Sequence, residues 1–280
     1  MSDVSISPSP ACIGLAELYG IERAVECELQ GTRYPTLQQA GIRRIVDTTR
    51  LDAEDAGWHG PLGFAAAVDP EAGEAVCYHV TDDPERVADR LRSCLPIASG
   101  RDVGKYGDLG PGLYCSNAPQ VWMGRSRRKW DFLARLTPAQ KTRLEDYLEA
   151  QVEDEAHRGY ISEREREYAV RTIGYVRDGR NPADALVVVA EQPYNVRFAE
   201  PKVLEPLGIQ PGAQPTVVEV KVRGRFAEVE GHPSWDVVDA LRRAGLHGAF
   251  HVGGWTGSPQ LVTWDDAAVR EFDGVRPECR

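Results

Sequence analysis

Two short stretches of the 280-residue chain carry side chains whose types and spacing suit chemistry on a polar, ring-bearing ligand. The first is Cys77-Tyr78-His79-Val80-Thr81, which reads as a buried strand carrying one imidazole. Imidazole is the side chain that ordinarily exchanges a proton near neutral pH, and either ring nitrogen can bond a hydroxyl. The second is Leu109-Gly110-Pro111-Gly112-Leu113-Tyr114-Cys115-Ser116-Asn117, a glycine-loosened turn that feeds a strand carrying a tyrosine. An aromatic face stacks on planar rings, and more strongly on cationic ones. Taken singly, each stretch also fits a structural role, since a lone histidine on a strand is commonly a satisfied core or edge residue.

The elements around these stretches must bring them together. Pro84 to Leu95 predicts a helix, with Pro84 in its first turn and Val87, Leu91 and Leu95 four residues apart. Strand, helix, polar loop and strand then set His79 near Tyr114. Further on, Ala185 to Ala190 is an apolar run of strand length, and Thr216 to Val222 alternates valines with Glu219 and Lys221. Ser234 caps a helix from Trp235 to Ala244 that Gly245 closes; strands at Ala249 to Val252 and Leu261 to Trp264 follow, then a short helix from Asp265 or Asp266.

The flanking regions are helical by the same rules. Residues 1 to about 10 are rich in Ser and Pro and read as disordered. One helix is expected over Leu15 to Leu29, and a second after Pro35, with Thr36 as its cap, through Ile42, Ile45 and Val46. Ala53 to Gly73 reads as a loop, so residues 1–70 form a helical N-terminal extension. Thr137-Pro138-Ala139-Gln140 and Ser162-Glu163-Arg164-Glu165 have the form of capping boxes. They open helices to about His157 and Gly179, a helical insertion over about 125–180 that serves as a surface pair or as a lid.

Composition removes several classes. A net charge of -10 argues against a general grip on nucleic acid, and the run Arg125-Ser126-Arg127-Arg128-Lys129 reads as a solvated helix face. No segment has the apolar length to cross a bilayer, and the first residues lack the pattern of a signal peptide. Six scattered cysteines without a Cys-x-x-Cys pair predict neither a metal site nor a disulfide framework, and suit reduced thiols in a cytoplasm. No Gly-x-Gly-x-x-Gly stands between strand and helix, which argues against a doubly wound dehydrogenase.

The order of these elements resembles the ADP-ribosyltransferase fold, in the branch related to diphtheria toxin and the poly(ADP-ribose) polymerases. His79 and Thr81 match its early strand, and Gly112-Leu113-Tyr114 its tyrosine strand. Val237 to Ala249 is similar to its late helix, glycine turn and strand. The resemblance spans residues 75 to 273 and implies an α+β fold with a split β-sheet core over residues 71–280. It implies NAD as substrate, no metal, and a mono-ADP-ribosyltransferase acting on a protein, nucleic acid or small molecule. Family habit adds a bacterial toxin with an antitoxin. His79 would donate to a ribose hydroxyl while Thr81 supports the turn and Tyr114 stacks on the nicotinamide. Trp122 would complete that sandwich with Trp130 behind it. Backbone groups of Tyr78, His79 and Val80 would hold the carboxamide. Ser116 and Asn117 would polarise the site, or else cap a helix. In the family a Glu opens the late strand, whereas this chain has Gln260, whose amide can hold a hydroxyl but cannot take a proton at neutral pH. Two alternatives therefore stand beside transfer: a non-catalytic module for NAD or ADP-ribose, and an RNA 2'-phosphotransferase-like enzyme.

Overall fold

β-branched and apolar residues on alternate positions build most of the strands, and the computed structural model arranges them in two sheets. The structure describes residues 20–50, 68–69, 71–93, 109, 112–117, 119–185, 193–231, 233–252 and 260–277. The expected N-terminal disorder, the helix start at Leu15, most of the 53–73 loop, Leu95, and the apolar run from Leu186 lie outside them. In chain order the strands are β1 (Ile42–Asp47), β2 (Val68–Asp69), β3 (Glu74–Thr81), β4 (Leu113–Cys115), β5 (Thr216–Val222), β6 (Arg225–Glu230), β7 (Gly248–Val252), β8 (Gln260–Thr263) and β9 (Val269–Phe272). The longer helices are α1 (Ile21–Leu29), α2 (Pro84–Arg92), α3 (Pro138–His157), α4 (Glu163–Arg177) and α5 (Trp235–Arg243). The fold is α+β.

One sheet has the order β1-β6-β7-β8-β4 and the other the order β2-β3-β5-β9. Within the first, only β6 and β7 run parallel, and α5 is the crossover that a parallel pair requires. Val46, Cys77, Leu113, Val220, Phe226, Phe250, Leu261 and Phe272 share one buried cluster that draws on both sheets. The other face of the five-stranded sheet packs Ala227, Val229, Ala249 and Val262 against α1 and α5, through Val25, Leu29, Val237 and Leu241.

The expected second helix of the N-terminal extension is instead β1, an edge strand paired antiparallel with β6. Ile42 and Val46 are buried, while Arg44 reaches Glu228 on β6 at 2.6 Å. The helical spacing of Ile42, Ile45 and Val46 is real, but three β-branched residues in five favour a strand once a partner is present.

The chain divides into two compact units: one of residues up to His79, Pro84–Asn117 and from Val218 on, the other of Val80–Asp83 and Ala118–Val217. The second reaches well past the expected insertion. Both capping boxes form as read: Thr137 and Gln140 at the start of α3, Ser162 and Glu165 at the start of α4. The face Ala169, Thr172, Ile173 and Val176 is buried, against a cluster that includes Leu144, Leu148 and Phe198.

The basic run is a solvated face only in part, since Arg127 and Arg128 are exposed. Arg127 pairs with Asp184, Arg128 Nη1 donates to the Asp82 carbonyl at 3.3 Å, and Lys129 is fully buried beside Trp130, Phe132 and Leu133. The Lys129 amine has no hydrogen-bond partner among the described residues. Burial pushes its proton affinity down, Glu200 opposes that shift, and Lys202 reinforces it. The folded state thus holds fewer protons at this group than the unfolded chain. Its penalty is complete below the depressed folded value and fades as pH climbs to the ordinary lysine range near 10.4. Lys129→Met should therefore raise stability at pH 7 by roughly 1–3 kcal/mol and flatten the rise of stability toward alkaline pH. Urea unfolding of both proteins across that range checks this, and a variant less stable at pH 7 would show that the amine is satisfied.

Candidate functional site

Among the described residues the two sheets meet at one antiparallel bridge, Tyr78 with Ser116. Tyr78 N donates to Ser116 O at 2.9 Å, and Ser116 N donates to Tyr78 O at 2.8 Å. In a continued ladder the Tyr114 carbonyl would next accept a backbone N–H from β3. It meets the His79 ring instead, with Nδ1 2.7 Å from the oxygen. A carbonyl only accepts, so Nδ1 carries the proton and Nε2 of the neutral ring keeps its lone pair. Burial lowers the affinity of His79 for a second proton, and the Tyr114 carbonyl partly offsets this. The ring also tilts against Phe272 on β9, with centroids 6.0 Å apart. The N–H of the ring is thus directed at the Tyr114 carbonyl, where the resemblance implied that it serves a ribose hydroxyl.

Strand alternation sorts the remaining side chains by face. On β3, Ala75 and Cys77 belong to the cluster between the sheets, and His79 follows on the same side. On β4, Leu113 and Cys115 share that side, while Tyr114 packs with Val262 against the opposite cluster. β4 lies on β8 with Tyr114 opposite Val262 and Cys115 opposite Leu261. Continued by one residue, this register sets Ser116 beside Gln260, which itself faces His251 on β7. On the register so continued, Tyr78, Ser116 and Gln260 fall in one row, on the face that also carries Tyr114. Ser116 and Gln260 are buried and Tyr78 is half-buried. The expected convergence of the His79 and Tyr114 side chains is not found: their rings leave the strands on opposite faces, and His79 meets only the Tyr114 carbonyl.

Tyr114 is itself held. Its hydroxyl accepts the Leu109 N–H at 3.2 Å, and Trp264 Nε1 donates to the Leu109 carbonyl at 2.7 Å. Gly112 has a packing reason for its identity, since an added Cβ would stand 2.5 Å from Val262 Cγ2 and 2.7 Å from the Thr263 oxygen. Val80 and Thr81 end β3 and belong to the second unit, where Thr81 Oγ1 accepts the Asp83 N–H at 3.1 Å. Trp122 lies half-buried in the 3-10 segment Pro119–Arg125 of that unit; Trp130 is fully buried in its helical core, its indole donating to the Gly124 carbonyl at 2.9 Å. Gly257, Ser258 and Pro259, ahead of Gln260, lie outside the described residues.

Two features of the junction carried no signal in the sequence. Phe272 falls where the pattern ended in a short helix, and Cys77 with Cys115 were counted only as scattered thiols. Both cysteines are buried, and the Cys77 thiol sits well above its ordinary range because it bonds Cys115, with burial adding to the shift. Among the described residues no group of three or more His, Cys, Asp or Glu side chains is placed to hold a metal ion, and no helix is long and apolar enough to cross a membrane. Comparison with family models, curated proteins and solved structures finds no significant match.

The His79 assignment is open to direct measurement. Nitrogen-15 spectra should show a protonated Nδ1 and a bare Nε2 at neutral pH, with titration below about 6.5, the ordinary value. The lowered value gives the folded state fewer protons than the unfolded chain. The contribution is therefore intact above that ordinary value and is lost as pH falls below it. A proton on Nε2, or titration above the ordinary value, would contradict the contact with Tyr114. Tyr114→Phe, which leaves the buried Leu109 N–H without its acceptor, should lower stability by about 1–3 kcal/mol in denaturant titration.

Proposed function

We propose that the junction of the two sheets binds NAD and that the chain is an NAD-dependent mono-ADP-ribosyltransferase. The observation that carries this reading is the parting of the sheets at Tyr78 and Ser116, with one neutral imidazole beside the break and Gln260 at the head of β8 in line with the bridge. Nicotinamide is a good leaving group, so a protein has to hold NAD bent, favour an oxocarbenium-like centre and control access of the nucleophile. On this reading Tyr114 gives an aromatic face to the nicotinamide, and the backbone at Tyr78 and Ser116 gives the polar edge. His79, on the opposite face, holds the Tyr114 carbonyl in place and makes no contact with the ligand. Gln260 holds a ribose hydroxyl through its amide.

Gln260 also favours a second reading, a module that binds NAD or ADP-ribose without consuming it. An amide has neither the charge to stabilise the developing cation nor the basicity to take a proton from an acceptor. Nicotinamide release by wild type, Gln260→Glu and Gln260→Ala, with NAD affinity measured by calorimetry, separates the two. Transfer requires turnover by the wild type, and Gln260→Glu should raise hydrolysis by on the order of a hundredfold with affinity unchanged. The module requires binding without release. NAD affinity unaltered by Gln260→Ala and by Tyr114→Ala would remove both readings, since both place the ligand on this row.

A further inference from the structure

The bridge that joins the sheets is flanked by two buried thiols. Cys77 precedes Tyr78 on β3 and Cys115 precedes Ser116 on β4, so the two are diagonal neighbours across the bridge and share its inner face. Both side chains belong to one buried cluster, and Cys77 Sγ donates to the Val220 carbonyl on β5 at 3.4 Å. Nothing in the proposed NAD chemistry uses them. A regular ladder holds diagonal neighbours about 7–8 Å apart, and a disulfide accepts Cα separations up to about 6.8 Å. Closing the bond would ask the strands to approach by roughly an ångström, at the place where the ladder already gives way to the His79 ring.

We propose that Cys77 and Cys115 form a dithiol site that a low-molecular-weight disulfide converts to an intramolecular bond across the junction. One cysteine, deprotonated, attacks a sulfur of the reagent R–S–S–R and expels R–S⁻, which takes up the released proton. The second cysteine loses its proton and displaces the remaining R–S⁻ from the mixed disulfide. The two protein thiols give up two electrons and two protons, and the reagent leaves as two R–SH molecules. Only a thiolate attacks, so the buried pair reacts when the junction opens, and it reacts later than the exposed Cys27. Once formed, the bond ties β3 to β4 within two residues of the contact between His79 and Tyr114.

The test is exposure of the folded chain to oxidised glutathione, with timed alkylation and peptide mapping without reduction. Cys27 should gain glutathione first. A Cys77–Cys115 cross-linked peptide should follow, while circular dichroism keeps the native signal. In Cys115→Ser the glutathione should persist on Cys77, because its resolving partner is gone; in Cys27→Ser the cross-link should form as in wild type. Recovery of both cysteines as free thiols long after Cys27 is consumed would overturn the proposal. So would stable glutathione on both cysteines, or a cross-link that appears only after the native signal is lost.

Discussion

Two backbone hydrogen bonds, Tyr78 N to Ser116 O and Ser116 N to Tyr78 O, hold the edge of one sheet to the edge of the other. A ladder that continued would make a single sheet and leave no break between the two. Here the His79 ring takes the next carbonyl, so that acceptor is satisfied without a further strand contact. Gly112 lets β4 lie close on β8, in the register that sets Tyr114 opposite Val262 and Cys115 opposite Leu261. Phe272, fully buried on β9, supports the other side of the imidazole.

The row formed by Tyr78, Ser116 and Gln260 also explains why the residue type at the head of β8 matters. Gln260 is 6% exposed, so a carboxylate there would lose most of its hydration and hold its proton more tightly than usual. Such a group is suited to take a proton near neutrality, whereas the amide present is neutral throughout. Burial thus makes the difference between Gln and Glu large at this position, and under the proposed function that difference would separate a transferase from a binding module.

Local rules were legible in the sequence because local atoms enforce them. The capping boxes at Thr137 and Ser162, Pro84 at the start of α2 and Gly245 after α5, with φ of 85°, appear where they were read. β1 was not legible, because it becomes a strand by pairing with β6, about 180 residues away. Nor was Lys129, since a run of basic residues gives no hint that one of them turns inward beside Trp130. At the site, the sequence marked His79, Tyr114 and Gln260 but not their faces. Alternation orders residues within a strand, but the facing of β3 relative to β4 depends on the Tyr78–Ser116 bridge, which no single stretch encodes.

A crystal structure of the chain with NAD bound tests most directly whether a nucleotide binds at the break between the two sheets. The expected result is nicotinamide against Tyr114, a ribose hydroxyl on the Gln260 amide, and the His79 Nδ1 contact to the Tyr114 carbonyl intact on the other face. NAD bound elsewhere on the chain, or crystals saturated with NAD that show the row covered by protein alone, would contradict it.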